Sequence, residues 1–119
     1  RARRCSARTR RIYMLRIYDV IIDTVAGLRP VMERIGHDDP DLARQMRRAL
    51  ASVPLNCAEA SSSRGRNRGA RYHTAAGSMR EVGAALDVAV ALGYIDGVDD
   101  ALRDRVGLIT NTLLKNARS

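Results

Sequence analysis

The sequence predicts an all-α protein folded as an up-down-up-down antiparallel four-helix bundle. Three observations carry that expectation. Apolar residues recur at three- and four-residue spacing through four segments of similar length. Short breaks bearing Gly, Asp, Ser or Pro separate the segments. Nowhere does the strict alternation of a half-buried strand compete with the helical period. A chain of 119 residues makes one domain. A hydrophobic content of 45% excludes an intrinsically disordered chain. Phe and Trp are absent, so the core is built from Leu, Ile, Val, Ala and Met.

The first helix is expected over about Ile12 to Ile35. Leu15, Tyr18, Ile22, Val25, Leu28 and Met32 form its apolar stripe, and Met14, Ile17, Ile21 and Val31 widen it. So wide a stripe implies contact on more than one side, with bundle neighbours or another subunit. Pro30 is expected to kink this helix. Gly36 to Asp41 is a break and restart, with Asp39 as N-cap and Pro40 as first helical residue. The second helix follows to about Ser61, with Leu42, Met46, Ala49, Val53, Cys57 and Ala60 inward and a bend at Pro54. Residues 61–69 read as a loop by composition. The third helix is expected from Ala70 to Leu92, with Tyr72, Ala75, Met79, Val82, Leu86 and Ala89 inward and Gly93 as the left-handed residue after it. The fourth starts near Asp99 and turns Leu102, Val106, Ile109 and Leu113 inward.

Arg and Lys total 21 against 13 acids, a net charge of +8. Six of those arginines lie in residues 1–13, which hold no acid, and without them the balance falls to +2. Residues 1–13 therefore stand apart from a bundle domain over 14–119. They read as a basic arm, a processed fragment or upstream sequence. No apolar run is long enough to span a membrane. The two cysteines, Cys5 and Cys57, make no disulfide framework, and a reduced, cytoplasmic compartment is the expectation.

Helix two carries a polar line beside its apolar one: Gln45, Arg48, Ser52, Asn56 and Glu59. Helix three carries Arg71, Thr74, Ser78 and Glu81. With the two helices antiparallel about a turn near Gly65, Arg48 faces Glu81, Ser52 faces Ser78, Asn56 faces Thr74 and Glu59 faces Arg71. This is a polar seam with an ion pair at each end. Such a seam fixes helix register more reliably than it stabilises. The alternatives are a plain solvated face and a ligand site.

Catalytic chemistry finds little to stand on. A carboxylate di-metal centre needs about four inward carboxylates and two Glu-x-x-His pairs. The sequence has Glu33, Glu59 and Glu81 and no Glu-x-x-His. His37 and His73 read as surface imidazoles and Cys57 as a small core residue. The glycines of residues 64–69 follow no strand and form no P-loop. No catalytic residue, metal or cofactor is expected, and the chain is not expected to be an enzyme. Arg64, Arg66, Arg68 and Arg71, interleaved with Gly65, Asn67 and Gly69, suit phosphate contact instead. The bland alternative is a solubilising loop. Aromatic interleaving stops at Tyr72, so base stacking is not indicated.

Gln45-x-x-Arg48-Ala49-x-x-Ser52-Val53-Pro54-Leu55-Asn56-Cys57-Ala58-Glu59 resembles a stretch of the four-helix-bundle family that includes the 23S rRNA-intervening sequence proteins. Ala76-Gly77-Ser78-x-x-Glu81, with Leu86 and Leu92-Gly93-Tyr94, is similar to that family's second motif. The resemblance runs from about Leu15 to Leu114. It departs at Ala60, where the family has Gly, and in the arginine content of the 64–71 segment. It implies a bundle that assembles as a ring, usually a homopentamer. The related accessory variability determinant proteins of diversity-generating retroelements are basic barrels, which implies RNA or DNA and a reverse transcriptase as possible partners. Together these readings make the chain a non-enzymatic, oligomeric bundle that contacts nucleic-acid phosphates without sequence preference. The alternative is a protein-interaction or scaffold subunit with no nucleic-acid role.

Overall fold

The computed structural model describes the backbone of residues 7–118 and the side chains of residues 16–118. The expectations for Arg1, Arg3, Arg4 and Cys5 lie outside the described residues. Four helices follow in order: α1 (Ala7–Asp38), α2 (Pro40–Ser62), α3 (Arg66–Ala91) and α4 (Asp100–Ala117). Each packs against its chain neighbours, and α4 closes the bundle on α1. The α2/α3 contact is the most extensive and α1/α4 the thinnest. The result is the expected up-down-up-down four-helix bundle. No described helix is long and apolar enough to cross a membrane.

The turns are built as their residues dictate. One residue separates α1 from α2. Asp39 Oδ1 accepts from the Leu42 backbone N–H at 3.0 Å, and Pro40 opens the helix. His37 and Asp38 thus end α1 rather than lying in a loop. At the end of α3, Gly93 has φ of 79°. Its N–H bonds Val90, and the Tyr94 N–H bonds Ala89 (3.0 and 2.9 Å), the two bonds of a Schellman motif. The Tyr94 hydroxyl then donates to Asp39 Oδ2 at 3.1 Å, which ties the α3–α4 connection to the α1–α2 hinge. That bond, with the charges of Asp39 and Asp38, holds the Tyr94 phenol above its ordinary pKa.

The inward stripes of α2, α3 and α4 are buried much as the spacing predicts, with Leu42 and Leu102 only half-buried. Helix α1 differs. Its buried line is Ile17, Ile21, Thr24, Leu28, Met32 and Ile35. Tyr18 (36% exposed) and Ile22 (42%) lie on the surface. The α1 sequence offers two apolar lines about 100° apart. The bundle takes the one that lets Gly27 pack on Leu102, where an added Cβ would stand 3.0 Å from the Leu side chain. Thr24 is fully buried, and its hydroxyl returns to the Val20 carbonyl at 2.7 Å, so no polar atom is stranded. Neither Pro30 nor Pro54 breaks its helix.

Three measurements check this account. Leu86→Ala empties a site with 0% exposure and lowers stability by about 2–5 kcal/mol in urea unfolding. Asp39→Ala removes an N-cap and costs about 1 kcal/mol, whereas Tyr94→Phe leaves that cap intact. Burial pushes the Cys57 thiol up to about 11. Native protein at neutral pH therefore reacts with a thiol reagent at Cys57 far more slowly than urea-unfolded protein does.

Candidate nucleic-acid interface

The α2–α3 turn is shorter than its composition predicts. Three serines hold α2 helical to Ser62. Ser61 donates to the Ala58 carbonyl at 2.7 Å, and Ser62 and Ser63 both donate to the Glu59 carbonyl at 3.1 and 2.8 Å. With the Ser63 N–H bonded to the Ala60 carbonyl at 3.2 Å, the carbonyls of residues 58–60 near the helix end have partners. Gly65, with φ of 63°, reverses the chain, and α3 starts at Arg66 rather than Ala70. Residues 66–69 join the helix despite Gly69 because that glycine lies against α4. A Cβ there would stand 2.8 Å from the Ala117 carbonyl oxygen. Composition marks these residues as loop, whereas the α4 contact makes them helix.

The four arginines of this segment consequently differ in setting. Arg64 and Arg66 are exposed, Arg64 on the turn and Arg66 at the first position of α3. Arg68 is half-buried, with its guanidinium 5.8 Å from the ring centre of buried Tyr72. Arg71 is exposed, and its Nη1 donates to Asn56 Oδ1 at 3.4 Å. None of the four pairs with a carboxylate among the described residues. The first turn of α3 has no acid, and its N-cap Gly65 makes no side-chain bond. Basic side chains at a helix N-terminus add to the positive end of the helix dipole instead of offsetting it. The turn therefore gathers four arginines that form no ion pair among the described residues. A shallow groove beside it runs between α3 and α4, past Arg66, Gly69, His73, Ala117 and Arg118.

The predicted polar seam meets in its middle and stays open at its ends. Ser78 Oγ donates to Ser52 Oγ at 2.9 Å across the α2/α3 interface. Asn56 Nδ2 reaches the Ser52 carbonyl and hydroxyl, both at 2.9 Å. Arg71 then joins Asn56, so one hydrogen-bonded line runs from the surface to the helix contact. The expected end pairs do not form. Arg71 reaches Asn56 one turn deeper than Glu59, and Thr74 turns back to the Ala70 carbonyl at 3.0 Å instead of meeting Asn56. Arg48 and Glu81 are exposed and make no ion pair. Exposed pairs gain only about 0–1 kcal/mol, too little to hold two long side chains together.

Among the described residues, no three His, Cys, Asp or Glu side chains gather where they could hold a metal ion. His73 lies on the groove, and His37 ends α1 at the opposite end of the bundle. Lys115 and Arg118 belong to the same end as the turn. Their sequence positions, more than forty residues from Arg71, gave no sign of it.

A double-mutant cycle tests the seam. Ser52→Ala and Ser78→Ala are expected to couple by about 0.5–1.5 kcal/mol in chemical denaturation. Arg48→Ala and Glu81→Ala are expected to add without coupling.

The sequence was also set against known proteins. No curated protein and no solved structure matches it. Residues 28–114 match the family described as 23S rRNA-intervening sequence protein. That span runs from the middle of α1 through nearly all of α4 and includes both the seam and the arginine turn. On this match, together with the four-helix architecture, the chain belongs to the 23S rRNA-intervening sequence protein family.

Proposed function

We propose that this protein is a non-enzymatic, oligomeric helical bundle that binds RNA or DNA through phosphate contacts, without reading sequence. The observation that carries the proposal is the turn of unpaired arginines. Arg64, Arg66, Arg68 and Arg71 stand at the start of α3 with no carboxylate partner. Guanidinium groups suit phosphate oxygens through their fork geometry. Exposed Arg64 and Arg66 are the primary contacts. Arg68 and Arg71, tethered to Tyr72 and Asn56, hold their charge at fixed positions behind them. The turn exposes no aromatic ring, since Tyr72 is only 2% exposed, so contact runs through the sugar-phosphate backbone and not through base stacking. The family description names an intervening sequence of 23S rRNA, which makes RNA the first polyanion to test.

A second reading, a scaffold subunit, draws on the exposed apolar side chains. Tyr18, Ile22 and Leu55 (65% exposed) on α1 and α2, with Val88 on α3, Leu92 just after it and Leu108 on α4, leave apolar area for a protein partner. A homo-oligomer uses the same surface, and five copies is the number that the family resemblance implies.

Binding to a generic RNA separates the two readings. The nucleic-acid reading expects affinity to fall steeply between roughly 50 and 200 mM salt, with double-stranded DNA competing. The scaffold reading expects no binding at physiological salt. For assembly, light scattering of the purified chain is expected to give a mass several times that of one chain. Ile22→Asp with Leu55→Asp is expected to reduce it.

A further inference from the structure

The charges are sorted along the bundle, and the sorting is visible only once the topology is known. Fifteen of the 21 Arg and Lys residues, and none of the 13 Asp and Glu, fall in three segments: 1–18, 60–80 and 105–119. The antiparallel fold brings the α2–α3 turn, with Arg64, Arg66, Arg68 and Arg71, to the same end as the last turn of α4, with Lys115 and Arg118. There α1 begins, α2 turns into α3, and α4 finishes. The opposite end holds Asp38, Asp39 and Asp41 at the α1–α2 hinge and Asp96, Asp99 and Asp100 at the α3–α4 connection, joined through Tyr94 and Asp39.

Pairing follows the same division. The ion pairs among the described residues are Arg29–Glu33, Arg44–Asp41 and Arg103–Asp87. Each uses an arginine from outside the three acid-free segments. The arginines of the basic end thus form no ion pair among the described residues and outnumber the one carboxylate of the last turn of α2, Glu59.

Two features widen this end beyond the α2–α3 turn. The Gly69–Ala117 approach sets the first turns of α3 against the last turn of α4. Arg118 therefore stands across the shallow groove from Arg66, and Lys115, also exposed, lies in the same last turn of α4. On the other side, α1 has 32 residues and α2 has 23, and they share the Asp39 hinge. At 1.5 Å per residue, α1 reaches about 13 Å beyond the end of α2. Arg8, Arg10 and Arg11 lie on that overhang.

We infer that the nucleic-acid surface is the whole basic end of the bundle and not the arginine turn alone. The sugar-phosphate backbone crosses the α3/α4 groove, held by Lys115 and Arg118 as well as by Arg64 and Arg66. The α1 overhang extends the track. The acidic end repels the same polyanion, so the protein binds end-on in one orientation. This inference rests on the nucleic-acid reading above and adds binding residues that neither the sequence motifs nor the family match assigns.

The test uses the full chain and a labelled polyuridine RNA, with binding followed by fluorescence anisotropy across a salt series. Four variants are compared with the unmodified chain: R64Q/R66Q, K115Q/R118Q, R8Q/R10Q/R11Q and R34Q/R47Q. Arg34 and Arg47 are exposed and lie toward the other end, and they serve as the control. Each contact to a single strand adds roughly 0.7 to the slope of log affinity against log salt. K115Q/R118Q is therefore expected to flatten the slope by about as much as R64Q/R66Q does. R8Q/R10Q/R11Q is expected to flatten it also, and R34Q/R47Q to leave it unchanged. Circular dichroism melts confirm that each variant is folded. If only R64Q/R66Q changes the slope, the turn acts alone and the end-wide surface is wrong, while nucleic-acid binding stands. If R34Q/R47Q flattens the slope equally, attraction is diffuse and the inference fails. If the unmodified chain shows no salt-dependent binding, the nucleic-acid reading itself fails.

Discussion

The hydrogen bond between Ser78 and Ser52 sets one helix against the next in the most extensive contact of the bundle. Small residues allow it. Ala49, Ala60, Ala75, Ala76 and Ala89 line the buried faces of α2 and α3 and let the two backbones come close. Apolar packing between alanines tolerates sliding, because one methyl group is much like the next. A hydrogen bond between two hydroxyls does not, since a slip of one turn would break the Ser78–Ser52 and Arg71–Asn56 bonds that cross between the helices. The polar line therefore specifies register, and the apolar stripes supply the burial.

Much of the remaining geometry follows from that register. With α2 and α3 aligned at residues 52 and 78, the reversal falls at Gly65. The arginines then stand at the end of the bundle and not along its side. The first turns of α3 reach α4, where Gly69 admits the Ala117 carbonyl. This end is locally unfavourable. Like charges gather there, α3 opens without an acid or a side-chain cap, and no described carboxylate answers the arginines. The opposite end is better satisfied, with Asp39 capping α2 and gripping Tyr94, and Asp99 capping α4. A structure that keeps one end tightly bonded and the other electrostatically unsatisfied has the pattern expected of a binding surface.

The sequence made the fold readable because helical period and turn chemistry agree at most positions. Gly93, Asp39 and Pro40 each do what their chemistry dictates, and the inward residues of α3 are buried as spaced. Legibility failed where a choice depended on a neighbour in space. Helix α1 offers two apolar lines, and which of them is buried depends on how α2 and α4 pack against it. The Ser-, Arg- and Gly-rich segment looks like loop until the serine caps and the α4 contact are known. In the seam, opposed numbering found the Ser52–Ser78 pair. It also predicted ion pairs at Arg48–Glu81 and Glu59–Arg71 that solvent exposure leaves open. For the interface, local composition pointed to residues 64–71. Lys115 and Arg118 join that neighbourhood through tertiary structure alone.

Charge sorted to the two ends of a rod about 46 Å long also has a consequence at a distance. Such a molecule is a macroscopic electric dipole. In the field of a polyanion it experiences a torque before any surface touches, and it turns its arginine end forward. Under the proposed function, encounters that begin in the wrong attitude are corrected during approach instead of being wasted, and the capture rate rises accordingly. The Debye length, about 8 Å at physiological ionic strength, limits this turning to the last stretch of the approach.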